Sequence, residues 1–197
     1  MYKKQLRFQN FACLFAIIAA AVSFVYSLGI MTDLYDSLYS TMMNPNDLTQ
    51  TSVPGSIIYY DMQGFNKTFL YLSIGLILAA AFLFVSNTNI RRKYYISNYI
   101  ATAIYAVATV GVAVWSHLQI EAFKVQYLTT VDFEALKAFC ALWNKPYIES
   151  TFWFDVHYLV GGIAIASAVA LVYNAIWKVQ MMRAEASLLE GGKEVAA

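Results

Sequence analysis

The sequence predicts an all-α membrane protein: a bundle of four transmembrane helices with two partly helical extracellular loops. Three observations support this prediction: 60% of the 197 residues are hydrophobic, only 13% are charged, and the charged residues leave four long uncharged windows. An average soluble domain has roughly 25% charged and 45–50% apolar residues. Because a water-exposed surface needs many polar side chains, this composition excludes a disordered chain, a nucleic-acid-binding protein driven by basic charge, and most soluble enzymes.

Asp, Glu, Lys and Arg are absent from residues 8–32, 68–90, 94–120 and 156–177. A bilayer core of about 30 Å requires about 20 helical residues, so each window is long enough to span it. We therefore predict a single integral membrane domain over residues 1–197. Its predicted spans are about 8–31, 67–88, 95–119 and 153–178, with outer loops 32–66 and 120–152 and a cytoplasmic tail 179–197.

The first window also has features of a signal peptide. Lys3, Lys4 and Arg7 precede it, and Ala19–Ala21 offers small residues of the kind found at cleavage sites. The apolar run continues beyond that point to Ile30, which is longer than the apolar region of a typical signal peptide. We therefore expect this segment to be retained as the first span.

The distribution of charge predicts the orientation of the spans. The two long loops, 33–67 and 121–155, together hold nine acidic and four basic residues, whereas the rest of the chain has a net charge of +6. Basic residues next to transmembrane helices remain in the cytoplasm. We therefore expect a plasma or inner membrane protein with both termini and residues 91–93 in the cytoplasm.

Small residues recur every four positions in all four windows. They are Ala12, Ala16 and Ala20, then Gly75 and Ala79, then Thr109 and Ala113, and finally Gly162, Ala166 and Ala170. Such stripes allow helices to approach closely in lipid. They predict packing within the bundle, or docking onto another membrane subunit or a second copy, for which Gly162, Ala166 and Ala170 are the candidate residues.

The second loop is expected to contain a helix. Asp132 is a suitable N-cap for a helix from Phe133 to Trp143, and Lys145–Pro146 is expected to end it. Trp153 lies where interfacial aromatic residues anchor a protein in the membrane, and both Trp143 and Trp153 are candidate partner contacts. At the other end of the chain, Gly191–Gly192 is expected to end a helix that extends the fourth span.

The two histidines are the main candidates for chemistry. His117 lies four residues before Glu121, and His157 lies two residues after Asp155, near the outer ends of antiparallel spans. The pair could bind haem b, and His117, Glu121, Asp155 and His157 could hold a transition metal. The alternative interpretation is an ordinary polar cluster at the membrane interface, in which case we expect no cofactor.

The predicted function follows mostly from features that are missing. No window contains an ionisable midplane residue of the kind that ion pumps use, and the chain has no recognisable catalytic or nucleotide-binding motif. We expect a non-catalytic accessory subunit of a larger membrane complex, such as a transport complex, with lipid and other membrane subunits as its partners. The alternatives are a haem- or metal-binding redox protein and a small enzyme or transporter for lipid-soluble substrates.

Overall fold

The computed structural model describes residues 2–28, 36–41, 51–88 and 96–195, and it confirms the all-α membrane fold. The predicted basic connection at 91–93 lies outside these ranges. The helices of the described residues are α1 (Tyr2–Ser27), α2 (Asp36–Tyr39), α3 (Ile58–Thr88), α4 (Ile96–Thr130), α5 (Phe133–Trp143) and α6 (Phe152–Val195). Four segments are long and apolar enough to cross a membrane: Lys3–Ser27, Ile58–Thr88, Ile96–Thr130 and Phe152–Leu188.

Each of the four long helices extends past its predicted span at one end or both, and α1 begins at Tyr2. Helix α3 begins at Ile58, α4 continues to Thr130, and α6 continues to Val195. An uncharged window indicates only the part of a helix that contacts lipid. Backbone hydrogen bonding continues into the polar turns on either side, so the helix is longer than the window. The prediction that Gly191–Gly192 ends the last helix is wrong. Glycine weakens a helix by about 1 kcal/mol relative to alanine, which is too little to stop one by itself.

The chain divides into two compact units. The terminal unit contains the described residues within 1–20, 76–110 and 163–197, and the loop unit contains those within 21–75 and 111–162. In the terminal unit, Ala12, Ala16 and Ala20 of α1 are all buried. Packing inside the bundle therefore accounts for the small-residue stripe of the first span.

The loop unit has an apolar core built from helices and from the segment that precedes α3. Its buried members are Tyr26, Leu38, Val53, Ile58, Met62, Phe65, Phe69, Ile120, Tyr127, Val131, Leu136, Cys140, Phe154 and Val160. Two buried tyrosines also donate hydrogen bonds to backbone carbonyl groups: Tyr26 to Trp153 at 2.8 Å and Tyr127 to Ile148 at 3.1 Å. These contacts join α1 to the start of α6, and α4 to the segment that precedes α6.

Helix α5 matches the prediction at its start and differs in how it ends. The Asp132 side chain accepts a hydrogen bond from the backbone N–H of Ala135 at 3.0 Å, which confirms the N-cap. At the other end, Asn144 adopts a left-handed conformation with φ 49°, and its N–H bonds to the carbonyl of Cys140. The left-handed cap therefore ends the helix one residue before the Lys145–Pro146 pair, and asparagine tolerates this conformation.

Candidate functional site

The loop unit brings the two histidines into direct contact. Nδ1 of His117 on α4 lies 2.8 Å from Nε2 of His157 on α6. The ring centroids are 5.1 Å apart, and the planes are inclined by 30°. His157 is only 5% exposed, whereas His117 is half-buried. The expectation that antiparallel spans place both imidazoles at a similar level is met by this contact.

A carboxylate completes the group. Glu121 lies one helical turn after His117 on α4, and its Oε1 atom is 3.8 Å from Nε2 of His157. The Tyr158 hydroxyl donates a hydrogen bond to the same Oε1 atom at 2.9 Å. Within the described part of the chain, His117, Glu121 and His157 each offer a ligand atom, and these atoms lie within 4.8 Å of one another.

The backbone orients the His157 ring. Its Nδ1 atom lies 2.5 Å from the carbonyl oxygen of Phe154. Because a carbonyl oxygen can only accept, Nδ1 carries a proton and donates it. In the neutral imidazole, Nε2 of His157 is then the acceptor of the 2.8 Å contact, and Nδ1 of His117 donates to it. A backbone carbonyl that holds the other ring nitrogen in this way is common at histidine metal ligands.

Asp155 takes a different role from the one predicted for a ligand. Its Oδ1 atom accepts from Nζ of Lys124 at 2.5 Å, and its Oδ2 atom accepts from the Thr151 hydroxyl at 3.1 Å. Both carboxylate oxygens therefore have partners, and Asp155 is outside the three-residue group formed by the histidines and Glu121. The ion pair connects α4 to the start of α6 beside that group.

The predicted partner residues differ in their exposure. Trp143 at the end of α5 is 61% exposed, and its neighbour Leu142 is exposed as well. Trp153 is instead half-buried against the core of the loop unit. In the loop unit Gly162 is exposed, and a Cβ atom added there would meet nothing within 4 Å. In the terminal unit Ala166 is exposed and Ala170 is half-buried.

A buried polar network in the terminal unit includes Asn98 and Asn174, for which the sequence predicts cross-helix hydrogen bonds, but its other members are not evident from the sequence. Asn87 is its centre: its Oδ1 atom accepts from Nδ2 of Asn98 at 2.8 Å and from Nζ of Lys178 at 3.2 Å. Gln5 donates to Asn174 at 2.9 Å, and Gln9 donates to the Asn87 carbonyl. The spacing of Gln5 and Gln9 by four positions was the available signal. The network joins α1, α3, α4 and α6 through polar contacts, which are a common means of helix association in lipid.

Two further groups near α5 have altered acidity. The Tyr147 hydroxyl donates to the Glu149 carboxylate at 2.6 Å, and this bond raises the pKa of Tyr147 to about 12. Burial raises the pKa of the Cys140 thiol. Since the thiolate is the reactive form of cysteine, a raised pKa makes Cys140 a poor nucleophile, and its side chain serves as a small apolar packing residue.

Comparisons of the chain with models of protein families, with curated proteins and with solved structures found no match.

Proposed function

We propose that this protein is a non-catalytic accessory subunit that docks onto other membrane subunits or onto a second copy of itself. The observation that supports this proposal best is the exposure of small residues on α6. Ala166 is exposed in the terminal unit although alanine and glycine are the residues that membrane helices use for close contact. Gly162 is exposed in the loop unit and has open space around it.

The other side of the same helix shows where the internal contacts of the terminal unit are made. Ala164, Ser167, Ala168 and Leu171 of α6 are all buried in that unit. Ala166 therefore supplies a small-residue surface beyond the one that the bundle itself uses. The exposed Leu142–Trp143 pair on α5 offers a second apolar contact surface, and exposed aromatic residues are frequent anchors in protein interfaces.

The proposed location is a plasma or inner membrane with both termini in the cytoplasm. Its support is the charge distribution, in which the two long loops are acidic and the rest of the chain is basic. On this orientation the histidine group and α5 lie on the outer side, and residues 91–93 lie in the cytoplasm.

Native mass spectrometry of gently extracted membranes tests the subunit proposal. We expect the 22.1-kDa chain to appear in a larger complex of fixed stoichiometry. Ala166→Phe should dissociate this complex because a bulky ring prevents close approach of a second helix. Val172→Phe is the matched control, since Val172 is also exposed on α6 but points about 120° away around the helix. A monomer in the wild type, or equal behaviour of the two variants, would overturn the proposal.

A further inference from the structure

We propose that His117, Glu121 and His157 form a binding site for one divalent first-row transition-metal ion, with Zn²⁺ as the ion tested first. This inference goes beyond the proposed role as a subunit and does not depend on it. Two imidazole nitrogens and one carboxylate oxygen are a donor set that binds Zn²⁺ in proteins and leaves a fourth position for water or another ligand.

The three donors come from two helices and converge on a small volume. His117 and Glu121 are four positions apart, which places them on the same face of α4. His157 reaches them from α6, and the three ligand atoms lie within 4.8 Å of one another. Because both helices are packed into the core of the loop unit, the donors are held by rigid elements rather than by a loop.

Two of the three donors, His157 and Glu121, are each held in position by a further hydrogen bond. The Phe154 carbonyl accepts from Nδ1 of His157, so Nε2 of that ring would coordinate an ion that replaces the proton donated by Nδ1 of His117. The Tyr158 hydroxyl holds Oε1 of Glu121 near Nε2 of His157. Contacts of this kind fix ligand orientation and commonly accompany metal sites.

The dimensions of the group favour a single small ion over haem. Ligand atoms of a tetrahedral zinc site are about 3.3 Å apart, given metal–nitrogen bonds of about 2.0–2.1 Å. The imidazole nitrogens, which lie at a hydrogen-bond distance of 2.8 Å, must move apart slightly to admit an ion, whereas Nε2 of His157 and Oε1 of Glu121, at 3.8 Å, must move slightly closer. Two axial nitrogens of a haem iron are instead about 4 Å apart with the porphyrin between them. Direct contact of the two rings leaves no space for that plane.

The charge around the group is compatible with a bound cation. Lys124 lies three residues after Glu121 on α4, and its ammonium group is paired with Asp155 at 2.5 Å. Glu121 contributes one negative charge to the donor set, and its side chain is one-third exposed, at 33%. The exposed Tyr158 lies on the same side. An ion and a fourth ligand can therefore reach the site from the side on which Glu121 and Tyr158 are exposed.

Metal analysis of the full chain in detergent tests this proposal. The protein is purified with a tag that contains no histidine, treated with a chelator, titrated with Zn²⁺ and measured by calorimetry and by elemental analysis. We expect one Zn²⁺ per chain. His157→Ala and His117→Ala should each weaken the affinity at least about 100-fold, since loss of a ligand exceeds the 10–100-fold effect typical of losing a group that only orients a ligand. Asp155→Asn is the neighbouring control and should still bind one ion.

Two further measurements keep the metal-site proposal testable even where a variant is poorly folded. Helical circular dichroism establishes the fold of each variant before titration. Independently, Co²⁺ added to the wild-type protein should produce the visible absorption of a tetrahedral nitrogen and oxygen site. Absence of saturable Zn²⁺ binding and of that absorption in the wild type would overturn the proposal, as would unchanged stoichiometry and affinity in folded His157→Ala. Neither result bears on the mass of the native complex, so this proposal and the subunit proposal fail separately.

Discussion

Nδ1 of His117 and Nε2 of His157 lie 2.8 Å apart, although 40 positions separate the two residues in the chain. The Phe154 carbonyl oxygen accepts a hydrogen bond from Nδ1 of His157. Oε1 of Glu121 lies 3.8 Å from Nε2 of the same ring. The chain has only these two histidines. The contact between the two histidines places three potential metal ligands, His117, Glu121 and His157, within 4.8 Å of one another in the loop unit.

Tyr158→Phe should weaken Zn²⁺ binding about 10-fold to 100-fold, because the change removes the hydroxyl that holds the Glu121 carboxylate. The number of ions bound per chain should remain one, since all three ligands are still present. Tyr60→Phe, at another exposed tyrosine of the loop unit, is the control and should have no effect. Titration calorimetry measures both variants, and equal affinities would show that the Tyr158 hydroxyl does not support the site.

Gly55→Ala should destabilise the loop unit. Gly55 has φ 80°, and an added Cβ atom would lie 2.0 Å from the backbone oxygen of Thr130. The left-handed conformation alone costs about 1–2 kcal/mol for an L-residue, and the backbone clash adds to this cost. The neighbouring hydrogen bond from Asp132 N–H to the Pro54 carbonyl should weaken as the turn moves.

Gly64→Ala is the matched control for the Gly55 variant. Gly64 lies within helix α3, and a Cβ atom there would meet nothing within 4 Å. Alanine favours a helix by about 1 kcal/mol over glycine, so this variant should be as stable as the wild type or slightly more stable. Thermal unfolding in one detergent gives the comparison. Similar midpoints for the two variants would mean that the close approach to Thr130 has no energetic consequence.

Asn87→Leu should destabilise the terminal unit by about 1–3 kcal/mol, because Asn98 and Lys178 lose the same buried acceptor. Asn10→Leu provides the control, since Asn10 is exposed on α1. Differential scanning measurements in detergent should show a lower unfolding midpoint only for the Asn87 variant. If both variants unfold at the wild-type temperature, the polar network contributes little to helix association.

The proposed orientation predicts a simple labelling pattern. In a chain that carries Cys13→Ala and Cys140→Ala, a cysteine is introduced either at Asp47 or at Arg92. An impermeant maleimide added to intact cells should label Asp47→Cys and leave Arg92→Cys unlabelled until the membrane is broken, because the acidic loops are expected outside. Labelling of Arg92→Cys in intact cells would show that the topology is the reverse of the one proposed.

Hydropathy and charge were sufficient to predict the spans, and local capping chemistry was sufficient to predict α5, because both signals are contained in neighbouring residues. Asp132 followed by an apolar stripe required no knowledge of the rest of the fold. The antiparallel order of spans was also enough to place His117 and His157 at a similar level. Each of these predictions rests on helix geometry rather than on tertiary contacts.

The features that the sequence did not reveal depend on contacts between distant segments. The close approach of Gly55 to Thr130 and the pairing of Lys124 with Asp155 follow from the packing of separate elements. In the sequence, Lys178 is simply the basic residue that follows the fourth uncharged window. In the structure it is 3% exposed, and its side chain donates a hydrogen bond to Asn87. Charge counts report the presence of such groups and cannot identify their partners.

Photo-crosslinking in intact membranes is the most direct test of the claim that this protein works as a subunit. Benzoylphenylalanine replaces either Trp143, which is exposed on α5, or Phe82, which is exposed among the large apolar residues Leu78 and Val85 of α3. We expect the Trp143 position to form one discrete protein crosslink and the Phe82 position to react with lipid alone. Lipid adducts at both positions, or the same protein bands at both, would contradict the account.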